Sequence, residues 1–208
     1  MNDINTKETL NNDNILKSES SGRKKSFKEI KKNNPTTGHI LDIVFIALFS
    51  ALIAVCAQIS IPTTIPFTLQ TLAIFIASAL LGLKRGTLST LIYILLGVVG
   101  VPVFANFSGG IGCLVGPTGG YIVGFIFTAI IIGIMTDILG KKIWVLALSM
   151  VIGMAICYVF GTAWFCISAK AEIGYAISLC VLPYLLFDAG KIVVATILVN
   201  RLDKIVEL

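Results

Sequence analysis

The sequence predicts an all-α integral membrane protein with six transmembrane helices and both termini in the cytoplasm. Of its 208 residues, 56% are hydrophobic and only 13% are charged, against about 25% charged residues in typical soluble domains. A bilayer-spanning helix needs about 20 mostly apolar residues. Six apolar runs of about this length follow a polar N-terminal stretch. They lie at roughly 42–61, 67–83, 87–101, 119–138, 142–166 and 178–200.

Residues 1–38 are rich in Asn, Ser, Lys and Glu, a composition typical of disorder. We expect them to form a flexible cytoplasmic tail that precedes a transmembrane domain at 39–208. Six basic residues lie within 23–32. We favour the interpretation that they stay solvated and fix the orientation of the chain in the membrane. The alternative is that they contact anionic lipid headgroups. The net charge of +5 therefore reflects membrane topology and does not indicate nucleic-acid binding. The first apolar run lies too deep in the chain for a cleavable signal peptide.

Positive charge alternates along the connections between the apolar runs. The second connection carries Lys84 and Arg85, and the fourth carries Lys141 and Lys142. The first and third carry no charge, and the fifth carries only Lys170 and Glu172. Cytoplasmic loops are enriched in Lys and Arg. This alternation predicts six crossings and places the uncharged connections outside.

Asp188 and Lys191 are the only charged residues in the interior of an apolar run. A charge near the centre of a membrane helix costs about 2.5–3.5 kcal/mol on insertion scales. At a spacing of three residues the two side chains share one helix face and can pair. The pair either fixes helix packing as an internal salt bridge or binds a polar ligand. The predicted orientation places it in the outer half of the sixth span, which suits capture of a ligand from outside.

The third connection is the second informative region, with seven glycines at 109–124. Such a segment exposes backbone polar groups, and irregular backbone at membrane depth must be buried or line a cavity. A flexible external loop is the alternative, although Phe104 and Phe107 are too apolar for a solvated linker. Asn106 and Ser108 are candidate polar contacts.

The first connection is kinked by Pro62 and Pro66, so the second span should begin just after Pro66. Thr68 and Gln70 then lie near the outer end of that span. Either they line the ligand cavity, or they bond to backbone at the helix start. Six aromatic residues are candidates for cavity walls or for an interfacial belt: Tyr93, Tyr121, Tyr158, Trp164, Tyr175 and Tyr184.

Ala47 and Ala51 form a small-xxx-small pair in the first span, a pattern that lets another helix approach closely. The five cysteines lack metal-ligand spacing and are interpreted as small hydrophobic residues. The only histidine, His39, lies at the edge of the polar tail. No nucleophile–base set and no nucleotide-binding loop can be assembled, which disfavours a membrane-embedded enzyme.

Five motifs together closely resemble the BioY family, the biotin-specific capture subunits of energy-coupling factor (ECF) transporters. The resemblance covers roughly residues 42–204. The motifs are Pro66-Phe-Thr-Leu-Gln-Thr-Leu72, Gly82-Leu-Lys-Arg-Gly86, Gly100-Val-Pro-Val-Phe-Ala105, Gly116-Pro-Thr-Gly-Gly-Tyr121 and Leu182-Pro-Tyr-Leu-Leu-Phe-Asp-Ala-Gly-Lys191.

The resemblance implies six helices in a bacterial plasma membrane and biotin bound near the outer face. It also implies a transmembrane coupling subunit and two cytoplasmic ATPases as partners. It implies no catalysis and no cofactor, because biotin is the transported ligand. Capture of another vitamin is the alternative, and a structural membrane protein without a ligand is the more distant one. The Ala47–Ala51 pair is similar to the small-residue motif with which such subunits dock the coupling subunit.

The resemblance also assigns roles in biotin binding. Asp188 would accept from a ureido N–H, while Lys191 would pair with the biotin carboxylate or hold Asp188 ionised. The remaining candidates would complete the ureido contacts or pack on the ring: Asn106, Gly109, Gly110, Tyr93, Phe104 and Gln70.

Overall fold

The structure is a computed structural model that describes residues 35–63 and 65–206. It is helical apart from two short strands. The helices are α1 (Pro35–Gln58), α2 (Gln70–Val99), α3 (Gly112–Val115), α4 (Gly119–Leu139), α5 (Ile143–Ala169), α6 (Ile173–Cys180) and α7 (Leu182–Val206), with strands β1 (Ser60–Ile61) and β2 (Phe67–Thr68) and a 3₁₀ turn at Ala105–Phe107. Most of the predicted tail lies outside the described residues, and its last part, 35–38, belongs to α1. The predicted boundary at 38 therefore stays a prediction.

Helix α2 folds back on itself at Gly82, where φ is +75° and the backbone is not helical. This left-handed conformation favours glycine because it has no Cβ. The arms on either side, 70–81 and 83–99, pack closely: a Cβ on Gly86 would lie 2.6 Å from the Ser78 Cα. Farther from the bend, the Gln70 and Tyr93 side chains meet. The two arms coincide with the second and third apolar runs of the sequence.

Five helices of the described chain are long and apolar enough to cross a membrane, namely α1, α2, α4, α5 and α7. Helix α2 is the most buried of them. It lies at the centre, in contact with α1, α4 and α7, while α4 also packs along α5. The core between them is apolar and includes fully buried Ile74, Phe75 and Ile132.

The outward faces of these helices are also apolar. Trp144 is 85% exposed, and Ile138, Ile167 and Leu186 are largely exposed as well. In water such a surface would drive association, whereas in a bilayer it contacts lipid tails that are equally apolar.

Charged residues from several elements meet at one end of the bundle, which we call the charged end. Arg85 pairs with Asp42 at 2.8 Å, and Lys141 pairs with Asp203 at 2.8 Å. The Asp137 carboxylate accepts from the Leu83 N–H beside the bend of α2, at 3.0 Å. These contacts tie the start of α1, the bend of α2 and the ends of α4 and α7 to one another.

At the opposite end, β1 and β2 form a short antiparallel hairpin in which Ser60 faces Thr68. Helix α2 begins at Gln70, three residues after the predicted start at 67, because Phe67 and Thr68 are paired in the strand. The sixth apolar run is also divided. Its predicted start at 178 falls in α6, and a break at Val181 precedes α7.

Candidate functional site

Asp188 and Lys191 lie on one face of α7 and are 4% and 7% exposed. The Lys191 ammonium donates to Asp188 Oδ1 at 2.8 Å and to Thr71 Oγ1 at 3.1 Å. Tyr158 of α5 donates its hydroxyl proton to Asp188 Oδ2. The Lys191 Nζ also lies 4.0 Å from the centre of the Phe67 ring, within range of a cation–π interaction. Opposite charges and hydrogen bonds thus compensate for the burial of both groups.

The pair borders a cavity that lies toward the end of the bundle opposite the charged end. We call it the ion-pair cavity. Its volume is about 60 Å³, below the roughly 300–1,000 Å³ of complete small-molecule sites, so it has room for only one part of a ligand. Asp188 and Lys191 supply polar groups on one side, and most of the other walls are apolar. The lining residues are Ile65, Pro66, Phe67, Thr68, Thr71, Tyr121, Phe125, Met154, Cys157, Tyr158, Cys180, Tyr184, Asp188 and Lys191.

A second, larger cavity of about 200 Å³, here called the loop cavity, adjoins the first. The two share a wall formed by Ile65, Pro66, Thr68, Tyr121 and Phe125. The loop cavity is otherwise lined by the segment after α2 and by part of α4, including Phe104, Ala105, Asn106 and Ser108. An elongated molecule with polar groups at both ends would match two adjoining compartments of this kind.

Gln70 lines the loop cavity, and its buried Nε2 makes no well-formed hydrogen bond among the described residues, although the Tyr93 side chain lies beside it. A buried polar group without a partner is costly, so a ligand acceptor at this position would be stabilising. Thr68 has both of the roles that the sequence allows at the start of α2, namely lining a cavity and bonding to backbone. Thr68 Oγ1 accepts from the Gln70 N–H at 3.3 Å, and Thr68 also faces both cavities.

The structure brings some predicted residues to the cavities and places Tyr93 behind them. Phe104 and Asn106 line the loop cavity. Tyr93 is fully buried and lies edge-on to Phe104, with ring centres 5.6 Å apart. Its hydroxyl donates to the Val103 carbonyl at 3.2 Å. Tyr93 therefore supports Phe104 and lines neither of the two cavities.

Gly109 and Gly110 likewise line neither cavity. The Gly110 N–H donates to the Gly97 carbonyl at 2.7 Å, and Gly110 has a φ of +92°. A Cβ on Gly109 would lie 2.5 Å from the Val101 carbonyl oxygen. Both glycines hold the segment against the end of α2 in this structure.

The predicted aromatic walls are partly present. Tyr121, Tyr158 and Tyr184 line the ion-pair cavity. Trp164 lines neither cavity and donates its indole N–H to the Gly116 carbonyl at 3.0 Å. Tyr175 is exposed on α6.

Ala47 and Ala51 are exposed on α1. Ser50, which lies between them, is buried and donates to the Ser89 carbonyl at 2.7 Å. Helix α1 therefore packs on α2 through one face and leaves the face with the two alanines accessible.

Two contacts of the ion pair were missed by sequence reasoning, namely Thr71 and Phe67. Both lie more than 100 positions before Lys191 in the chain, and nothing in their spacing indicates the contact. The sequence indicates Tyr158 only as a cavity wall or a belt residue, whereas the structure makes it a hydrogen-bond partner of Asp188.

Comparison with known proteins agrees with this architecture. The model of the BioY family matches residues 25–208. The chain belongs to the BioY family. The match begins before residue 42, where the resemblance in the sequence starts, and includes part of the predicted tail. Because it belongs to the BioY family and has several helices long and apolar enough to cross a membrane, the chain is a multi-pass membrane protein.

Individual relatives are similar over most of their length. The biotin transporter BioY of Thermotoga maritima is 46% identical over 160 residues, which are 76% of this chain and 93% of that protein. The probable biotin transporter BioY of Pyrococcus horikoshii is 40% identical over 163 residues, 78% of this chain and 96% of that protein. The crystal structure of the S-component for biotin from an ECF-type ABC transporter superposes with a TM-score of 0.76 at 25% identity, over 81% of this chain and 93% of that one.

Proposed function

We propose that this protein is the biotin-binding subunit of an ECF-type uptake transporter in a bacterial plasma membrane. The observation that carries the proposal is the buried Asp188–Lys191 pair, which borders a cavity in a BioY-family protein. The relatives are described as biotin transporters, and the related crystal structure is of a biotin S-component. The protein would bind and release its ligand and carry out no chemical reaction.

We further propose six membrane crossings with both termini in the cytoplasm. The fold-back of α2 at Gly82 supports this count, because its two arms then run in opposite directions. The first arm, 70–81, measures only about 18 Å as a helix, so its crossing would include the extended residues that precede it. A straight helix of 30 residues would measure about 45 Å, well beyond a hydrocarbon core of about 30 Å. The charged end fits the cytoplasmic side, since Arg85 and Lys141 lie there. Both cavities then lie toward the outer face.

In the proposed site, Asp188 accepts a hydrogen bond from a ureido N–H of biotin. Lys191 either pairs with the carboxylate of biotin or keeps Asp188 ionised. Asn106, Gln70 and Phe104 contact the other part of the ligand from the loop cavity. Gly109, Gly110 and Tyr93 contribute by fixing the segment that carries Phe104 and Asn106.

Biotin supplies a ureido carbonyl and a carboxylate, and either could accept from the buried Gln70 Nε2. Comparison of biotin with biotin methyl ester separates the two roles of Lys191. A large loss of affinity with the ester supports the carboxylate pairing, whereas equal affinity supports a role in holding Asp188.

We also propose that the exposed face of α1 with Ala47 and Ala51 docks the transmembrane coupling subunit. Two cytoplasmic ATPases would supply the energy for transport. Small side chains let helix backbones approach closely in a membrane, and both alanines are accessible in the isolated chain.

Thermal unfolding of the detergent-purified protein tests the ligand. Biotin, thiamine and riboflavin are compared at equal excess. A ligand that binds only the folded state stabilises it by about 4 kcal/mol at a thousandfold excess over Kd. A shift in Tm with biotin alone supports the proposal, and a shift with another vitamin changes the substrate. The absence of a shift with all three would favour a purely structural role for the ion pair.

A further inference from the structure

We propose that Gln58, the last residue of α1, is the positioning residue that holds the segment 102–107 over the loop cavity and slows the release of biotin. The inference rests on the proposed function for its ligand. It concerns a residue that does not line either cavity and therefore acts through the segment that does.

The Gln58 side-chain amide is used as both donor and acceptor. Its Nε2, which has two hydrogens, donates to the Phe104 carbonyl at 3.1 Å and shares its second hydrogen between the carbonyls of Pro102 and Ala54, each at 3.4 Å. Its Oε1 accepts from the Phe107 N–H at 2.9 Å. One side chain thus contacts the backbone of the segment at three points, and the contacts at Pro102 and Phe107 lie on either side of the lining residues 104–106.

The segment needs such support because of its backbone conformation. Asn106 and Phe107 have φ values of +57° and +54°, in the left-handed region that L side chains rarely adopt. An aromatic residue there is unusual, and such conformations persist only where surrounding contacts hold them. Gln58 supplies the contact at the Phe107 N–H. Ser60, just beyond α1, supplies a second by donating to Asn106 Oδ1 at 2.8 Å.

Little apolar burial holds the outer part of the segment. Phe107 is 73% exposed and Ile111 is also exposed, while Phe104 is buried. Phe104, Ala105 and Asn106 face the loop cavity between the bonds from Gln58. Loss of these bonds should therefore release the cavity wall while the helices stay packed.

The test compares Gln58→Met with wild-type full-length protein in detergent. Methionine keeps the length of the side chain and removes its strong donors and acceptor. Ser178→Ala serves as the matched control, because it removes one local side-chain bond at the same end of the protein, on α6. Dissociation of radiolabelled biotin is measured after dilution into excess unlabelled biotin, and association is measured separately.

We expect the dissociation rate of Gln58→Met to rise about tenfold or more, since several neutral hydrogen bonds are lost. Association should not slow, because an opened segment does not obstruct entry. Gln58→Glu keeps an acceptor for the Phe107 N–H but sets a carboxylate oxygen against the Phe104 carbonyl in place of the donor, so its dissociation rate should rise at least as much as that of Gln58→Met. A purely structural role would reduce the fraction of active protein and leave the rate constants of that fraction unchanged.

Hydrogen–deuterium exchange of the ligand-free proteins tests the contact independently of biotin. Peptides covering 102–107 should exchange faster in Gln58→Met than in wild type or Ser178→Ala. Unchanged exchange would overturn the proposal, as would faster exchange with an unchanged dissociation rate. If Gln58→Met does not fold, Gln58→Glu provides both readouts. A wild-type protein that does not bind biotin would refute the proposed function, and the exchange of 102–107 would still decide the role of Gln58.

Discussion

The Asp188→Asn variant separates the two interpretations of the buried pair. Asparagine has nearly the same shape as aspartate and retains an oxygen that can accept from Lys191. The hydrogen bond at 2.8 Å can therefore remain, while the compensating negative charge is lost. Tyr158 can adapt by turning its hydroxyl to accept from the new amide.

The expected loss of affinity follows from the type of bond. A hydrogen bond to a charged group contributes about 1.5–3 kcal/mol, which corresponds to roughly a 10- to 150-fold rise in Kd. Complete loss of one partner of a buried pair costs about 3–5 kcal/mol of stability. Retention of an acceptor at residue 188 should keep the loss of stability below that range. We therefore expect binding to weaken more than folding.

Equilibrium binding of radiolabelled biotin and ligand-free thermal unfolding are measured on the same detergent preparations. A neutral double variant, Asp188→Leu with Lys191→Met, provides the control because no unpaired charge remains. The ligand-binding interpretation predicts a folded double variant that does not bind biotin. If Asp188→Asn binds within about threefold of wild type, about 0.6 kcal/mol, or if the double variant binds normally, Asp188 does not contact the ligand.

Three further variants test other parts of the molecule. Ala47→Trp or Ala51→Trp should abolish co-purification with the coupling subunit and leave biotin affinity intact; lost biotin binding would instead place α1 in the ligand site. Gly82→Ala should lower the free energy of unfolding by about 1–3 kcal/mol, because only glycine readily adopts its φ of +75° and ψ of −173°. A Cβ there would also lie 2.5 Å from the Asp137 carboxylate, and an unchanged Tm would contradict this. Phe67→Leu should remove about 1–2 kcal/mol of cation–π stabilisation, which Phe67→Tyr should retain, as measured by ligand-free unfolding.

The helical membrane class and the ion pair could be predicted because each depends on local patterns. An apolar run of membrane length allows few structures, and a charge within such a run is unusual wherever it packs. The bend at Gly82 lies within two residues of the predicted connection between the second and third runs. The described helices overlap the predicted runs, but α1 begins at Pro35, seven residues before the predicted 42, and the sixth run is divided into α6 and α7.

The rest of the site depends on contacts between distant parts of the chain. Thr71 and Phe67 reach Lys191 only because the start of α2 packs beside α7. The sequence predicts Tyr93 and Phe104 as equivalent contacts of the biotin ring, because nothing in it indicates which of the two faces the ligand. The structure separates them because α2 places Tyr93 inside the bundle, while the following segment returns Phe104 between Tyr93 and the loop cavity.

Helix α1 connects the proposed docking face with the segment over the loop cavity. Ala47, Ala51, Ala54 and Gln58 follow one another at intervals of four, three and four residues, a spacing that places them on one helix face. A coupling-subunit helix packed along Ala47 and Ala51 would therefore extend toward Gln58 at the outer end. Binding of the coupling subunit should then change hydrogen–deuterium exchange at 102–107 in wild type and have little further effect in Gln58→Met. Equal changes in both proteins would show that docking reaches the cavity by another route, and no change in wild type would show that docking and the loop segment are independent.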